Sequence, residues 1–144
     1  MTSDSDLIHD VLTTSRTIAV VGLSPKPNRP SHEVAQYLQA HGYRIVPVNP
    51  ASAGAVILGE PCHATLRDAA AALAQEGASI DIVDCFRKSE AIPPIADEAI
   101  AIGARCLWMQ LGVVNEQAAQ KARAAGLTVI MDHCLMVEHT HLPH

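Results

Sequence analysis

Thr17-Ile18-Ala19-Val20-Val21-Gly22-Leu23-Ser24-Pro25-Lys26-Pro27-Asn28-Arg29-Pro30-Ser31 is the stretch on which the fold turns. Ile18 to Val21 is a short apolar run rich in β-branched residues. It is too brief for a helix and bounded by a turn signal, so it reads as a buried parallel strand. Gly22 ends it, and a loop with three prolines, Ser24, Lys26 and Arg29 follows. Ser31 then precedes a segment in which Val34, Tyr37 and Leu38 share one helical face. Strand, glycine-containing loop and helix N-terminus together make the part of an α/β fold that receives phosphate, because backbone N–H groups and the helix dipole converge there. The stretch reads as a site for a nucleotide-like ligand.

Outward from this unit, strands and helices alternate. Residues 6–14 carry Leu7, Ile8, Val11 and Leu12 at helical spacing, with Ser3 or Ser5 as cap. Further strands are expected at 44–48, 80–84, 105–109 and 127–131, with a possible sixth at 55–58. Helices are expected at 31–41, from the Thr65 cap through Leu73, from Pro93 to Ile102, and from the Asn115 cap to Ala125. A short polar tail with a turn of helix spans 132–141. Pro47 cannot donate to a ladder, so its strand needs a free side or an irregularity there. The alternation predicts a parallel sheet of five to six strands, with right-handed crossovers and covering helices.

Composition agrees with that class. Of 144 residues, 49% are hydrophobic, 17% charged and 3% aromatic, so the apolar mass is the Ala, Val, Ile and Leu of a helix-covered sheet. One domain over 1–144 suffices to bury this core. The net charge of −5 and the lack of a basic cluster give no reason to expect nucleic acid. No apolar run approaches the roughly 18 residues that span a bilayer, so no membrane partner is expected. The acidic start does not read as a signal peptide. Cys62, Cys85, Cys106 and Cys134 form no CxxC pair and are read as reduced thiols, which places the protein in the cytoplasm.

In such sheets, ligands bind beyond the carboxyl ends of the strands, near the point where strand order reverses. Five exit loops qualify: 22–30, 49–52, 84–89, 110–115 and 132–139. They hold Ser24, Lys26, Arg29, Asn49, Arg87, Gln110, Cys134, Glu138 and His139, most of the distinctive polar residues of the chain. The first loop is not a dinucleotide fingerprint, since Ser24 and Pro27 stand where GxGxxG needs glycine. The acid that holds ribose hydroxyls in NAD sites is replaced at its place by neutral Asn49. Lys26 and Arg29 favour a ligand with extra phosphate, a description NADP also meets.

Five motifs occur in order: Val20-Val21-Gly22-x-Ser24-x-x-Pro27-x-Arg29-Pro30-Ser31, Tyr43-x-x-x-Pro47-Val48-Asn49-Pro50, Asp81-x-Val83-Asp84-x-Phe86-Arg87, Trp108-x-Gln110-x-Gly112-Val113 and Cys134-x-x-x-Glu138-His139. With them the chain resembles the small stand-alone CoA-binding proteins, which are similar to the nucleotide-binding domain of the succinyl-CoA synthetase alpha subunit. The resemblance runs from residue 15 to 142. It implies a Rossmann-like, doubly wound domain with helices on both faces and coenzyme A across the exit loops. On matching positions, Gly22, Ser24, Lys26 and Arg29 would meet the phosphates. Asn49 and Pro50 would border the adenosine, Phe86 and Arg87 would line the next wall, and Gln110 and Gly112 would lie toward the pantetheine arm. The phosphorylated histidine of the ligases belongs to a second domain, so binding of CoA or acyl-CoA without turnover is the expectation, in a carrier, sensor or partner module.

Cys134, Glu138 and His139 are the remaining candidates for chemistry. Their spacing misses the HxxEH zinc pattern, and no metal or catalytic residue is assigned. Glu138 and His139 have a structural reading, pinning the tail. Cys134, just past the last strand, is expected near the CoA thiol, where it can form a mixed disulfide. Two rivals stay open. One is an enzyme, either an NADP-dependent reductase or a thioester-handling enzyme based on Cys134, Glu138 and His139. The other is an interaction domain with a vestigial pocket. Trp108, Met109, Cys85 and Cys106 read as core.

Overall fold

The computed structural model describes residues 3–143. Its core is one parallel sheet built from β1 (Thr17–Val21), β2 (Arg44–Val48), β5 (Ile82–Cys85), β6 (Cys106–Met109) and β7 (Thr128–Ile130), in the order β2-β1-β5-β6-β7. The helices are α1 (Asp4–Thr14), α2 (Pro30–Ala40), α3 (Leu66–Ala74), α4 (Ile92–Ala101), α5 (Glu116–Ala124) and α6 (Leu135–Thr140). This is the doubly wound, Rossmann-like α/β fold that the sequence resemblance implies.

Side-chain alternation along each strand divides the interior into two layers. Ala19, Val21, Val46, Val83 and Leu107 point toward α3, α4 and α5. Ile18, Val20, Ile45, Ile82 and Trp108 point toward α1, α2 and α6. Alanines at 96, 99, 118, 119 and 122 line the first layer, where their small side chains let α4 and α5 lie close together. Caps hold the helix starts: Ser3 accepts from the Asp6 N–H, Thr65 from Asp68 and Asn115 from Ala118.

The possible sixth strand does not join the sheet. Residues 56 and 57 form β3 (Val56–Ile57), paired antiparallel with β4 (Glu60–Pro61) in a separate hairpin. The chain after β4 instead runs along the free edge of β2, where the His63 N–H donates to the Pro47 carbonyl and the Asn49 N–H to His63. Pro47 thus sits in an edge strand, the position that tolerates a missing donor.

The strand expected at 80–84 is displaced, and the displacement corrects the reading of Asp84. Asp81 lies before the strand, and its Oδ2 accepts the N–H groups of Arg16 and Thr17 at 2.8 and 3.0 Å. Asp84 is no exit-loop residue. It lies inside β5, in register between Val20 and Trp108, fully buried, and among the described residues neither carboxyl oxygen has a hydrogen-bond partner. Burial pushes its pKa well above the usual carboxylate range.

This raised value has a definite sign. The native state holds the Asp84 proton at pH values where the unfolded chain has released it, so stability declines as pH rises through that window. The slope for one proton is about 1.4 kcal/mol per pH unit at most. Urea unfolding of wild type and Asp84→Asn from about pH 5 to pH 8 should show the wild type losing stability relative to the variant as pH rises. A constant difference would contradict a neutral Asp84.

Candidate functional site

Strand order reverses between β1 and β5, because the chain leaves β1 for β2 on one side and returns to β5 on the other. The loops after these strands diverge there, and their contact is unusually close. Gly22 has φ +92°, and a Cβ at this position would lie 2.4 Å from the Phe86 carbonyl oxygen. The strand ladder forces the approach: the Phe86 N–H donates to the Val21 carbonyl at 2.9 Å, and the Gly22 N–H to Val48 at 2.7 Å. Glycine is demanded twice here, by its dihedral and by space.

Around this contact lie four recesses that share walls. The first, about 320 Å³, is largely apolar and lies toward α3 and α4, with Val48, Pro50, Leu66, Pro94 and Ile95 in its lining. It shares Arg87 and Ala91 with a second of about 440 Å³, which contains Gly22, Asn49, Phe86 and Lys88. The third, about 390 Å³, is the proline-rich loop itself, with Ser24, Lys26, Arg29 and Ser31. The fourth, about 530 Å³, lies on the α2 and α6 side and joins the third through Pro30 and Phe86. Val34, Gln110, Leu111, Val113 and Cys134 contribute to its wall. Together they trace a groove across the carboxyl edge of the sheet.

The loop geometry comes from local bonds. The Ser24 N–H donates to Ser31 Oγ at 3.0 Å, and the Lys26 N–H donates to Ser24 Oγ at 3.1 Å. These fold the loop over the N-terminus of α2, whose first helical residue is Pro30. Asn49 ties two exit loops together: its Nδ2 donates to the Leu23 carbonyl and its Oδ1 accepts from the Ala51 N–H, both at 3.0 Å. An acid there would lose the donor that holds Leu23.

Charge is distributed unevenly. Four of the ten lysines and arginines, Lys26, Arg29, Arg87 and Lys88, line these recesses. They are exposed and form no ion pair among the described residues, whereas Arg44 and Lys121 are paired with Glu76 and Asp97. An acidic chain therefore keeps a cationic rim beside the N-terminus of an eleven-residue helix, an arrangement suited to an anion.

Of the residues singled out from sequence, Gly22, Ser24, Lys26, Arg29, Asn49, Pro50, Phe86, Arg87, Gln110 and Cys134 lie along the groove. Gly112 stands apart. Its N–H donates to Asp132 Oδ1 at 2.6 Å, and the turn it makes presents Leu111 and Val113 to the fourth recess. Lys88, Val34 and Leu111 also line the recesses but were not among the site residues expected from sequence. Lys88 was recoverable from its place beside Arg87, while the other two are ordinary apolar residues until the fold brings them together.

The tail residues part company. Glu138 faces His133, with Oε1 3.0 Å from Nδ1, and His139 is buried against Tyr37, whose hydroxyl is 2.9 Å from its Nδ1. Cys134 is the tail residue that reaches the groove. Among the described residues no three His, Cys, Asp or Glu side chains are placed to hold a metal. Cys85 and Cys106 are fully buried, and burial raises both thiol pKa values. No helix among the described residues is long and apolar enough to cross a membrane.

A parallel sheet with its groove at the strand-order reversal places the chain in the class of Rossmann-like α/β domains. Within it, residues 16–140 match the model of the CoA binding domain, and the chain belongs to that family. It is 42% identical over 132 residues to the uncharacterized protein YneT of Bacillus subtilis (strain 168), covering 92% of this chain and 91% of YneT. Among solved structures, one from Thermus thermophilus superposes with a TM-score of 0.86 at 34% identity, over 96% of this chain and 98% of the other. A hypothetical protein from Pyrococcus horikoshii OT3 gives 0.86 at 35% identity, over 97% and 92%. A Rex-family repressor, at 15% identity and a TM-score of 0.58, shares the fold.

Replacing Gly22 by alanine should lower stability by about 1–3 kcal/mol, because either the Phe86 carbonyl or the backbone at residue 22 must move. Thermal melting measures this, and Gly42→Ala separates the two causes. Gly42 has a similar φ of +95° but open space around its Cβ position, so its loss should be smaller.

Proposed function

We propose that this chain binds coenzyme A or an acyl-CoA along the groove, as a single-domain carrier, sensor or partner module. The observation that carries the reading is the order of chemistry along the groove: an apolar recess beside Pro50, then the cations Lys26, Arg29, Arg87 and Lys88, then an apolar recess ending at Cys134. Coenzyme A has the same order: an adenine ring, phosphates, and a pantetheine arm ending in a thiol. The adenine enters beside Pro50, and the phosphates meet Lys26, Arg29 and Arg87 at the N-terminus of α2. The pantetheine arm passes Phe86 and Gln110. The family to which the chain belongs supports this ligand, and the neutral Asn49 speaks against a dinucleotide whose ribose needs an acid.

The arrangement of the tail favours binding over turnover. Glu138 is held by His133 and His139 by the tyrosine cluster, so neither is among the residues lining the fourth recess. The NADP reductase reading receives no such support, since its ligand lacks the thiol arm that the fourth recess accommodates.

Coenzyme A at about 100 times its Kd should stabilise the folded state by about 2.7 kcal/mol, visible as a rise in Tm, while NADP at the same concentration should do much less. The reverse order would defeat the reading. Arg29→Ala and Arg87→Ala should each weaken CoA binding by about tenfold and reduce its salt dependence, as calorimetry at two ionic strengths would report. Oxidised coenzyme A should exchange onto Cys134 and leave a mixed disulfide in the intact mass, since the other three cysteines are buried.

A further inference from the structure

Gln110 is 4% exposed and belongs to the wall of the fourth recess. Its Oε1 accepts the Leu135 N–H at 2.9 Å, at the start of α6. A backbone N–H can only donate, so the oxygen end of the carboxamide must be the end at Leu135. The two hydrogens on Nε2 are then left over, and no hydrogen bond among the described residues takes them. The residue is nearly buried, yet Nε2 is not among the enclosed unpartnered atoms, so these donors open onto the recess, where the acceptor of a ligand can meet them.

Cys134 lies in the same wall and is half-buried, next in sequence to the residue that Gln110 caps. Around the pair are Pro30, Val34, Phe86, Leu111 and Val113. The recess thus combines a thiol, two fixed N–H donors and an apolar chamber. A thioester presents the complement of each: an electrophilic carbonyl carbon, a carbonyl oxygen and a hydrocarbon chain.

We propose that the fourth recess receives the acyl end of an acyl-CoA, and that the acyl group passes to Cys134; this rests on the CoA reading above. The Cys134 sulfur adds to the thioester carbonyl carbon while the carbonyl oxygen, gaining negative charge, accepts from Gln110 Nε2. The bond from that carbon to the CoA sulfur then breaks, and the Cys134 thiol proton ends on the CoA sulfur. One thioester is consumed and one formed, so the exchange needs neither oxidant nor reductant and runs in both directions. Among the described residues no Asp, Glu or His belongs to the recess lining to activate water, so the product is an acylated protein rather than a free acid. The chain becomes a covalent acyl carrier.

The test incubates the protein with butyryl-CoA and follows intact mass, with peptide mapping of the product and calorimetry of free CoA in parallel. One acyl group per chain is expected, on the Cys134 peptide, released by neutral hydroxylamine and absent in Cys134→Ser. Gln110→Glu keeps an oxygen for the Leu135 N–H and removes both donors, so acylation should slow about 100-fold with α6 intact by circular dichroism. CoA binding without an adduct, or an adduct on Lys88, overturns the transfer and leaves the binding reading standing. Neither binding nor adduct overturns both. An unchanged rate in folded Gln110→Glu overturns the role of Gln110. Should that variant not fold, the wild type and Cys134→Ser decide alone.

Discussion

The closeness of Gly22 to the Phe86 carbonyl is the constraint on which the groove depends. Two parallel strands in register deliver their exit loops to the same height, and β1 and β5 do so at the point where the chain turns in opposite directions. Without a side chain at 22, the loop after β1 leans over the loop after β5, and Phe86 and Arg87 come to border all four recesses between them. A bulkier residue would wedge the loops apart and separate Lys26 and Arg29 from Arg87 and Lys88. The cationic rim of an acidic protein is thus a product of backbone packing, since the four side chains come from two segments far apart in sequence.

Beneath that contact, the sheet carries an oddity. Asp84 sits on the strand next to the reversal point, between Val20 and Trp108, with both oxygens unpartnered among the described residues. Such a group is tolerated in an apolar layer when it is neutral, since an ionised carboxylate there has no compensating charge or donor. The neighbouring Trp108 has its own solution, donating Nε1–H to the His133 carbonyl at 2.8 Å and so fixing the chain just before Cys134. That bond, with Gln110 on the Leu135 N–H, anchors the start of α6 against the end of β6.

The tail shows how tertiary structure sorts residues that look alike on paper. His133, Cys134, Glu138 and His139 form a dense set of potential ligands in sequence, yet they point to different surroundings. His133 and Glu138 pair with each other, and His139 closes an aromatic group with Tyr37, His41 and Tyr43. Cys134, at the cap position of a short helix, is left to the groove. The chemistry available there is that of a single thiol beside an amide.

By itself the sequence determined the alternation of strands and helices, the caps at Thr65 and Asn115, the place of Gly22 and the exit loops that bear the site. These depend on side-chain periodicity and on the local dihedral preferences of glycine, proline and capping residues, which act over a few positions. Tertiary structure alone decided that residues 56 and 57 leave the main sheet, that Asp84 lies inside it, and that Val34 and Leu111 join the groove. It also decided which cations stay unpaired and which end of the Gln110 amide is free. Those outcomes arise from crossovers that bring segments many residues apart into contact, where space and hydrogen-bond partners are allotted by packing rather than by neighbours along the chain.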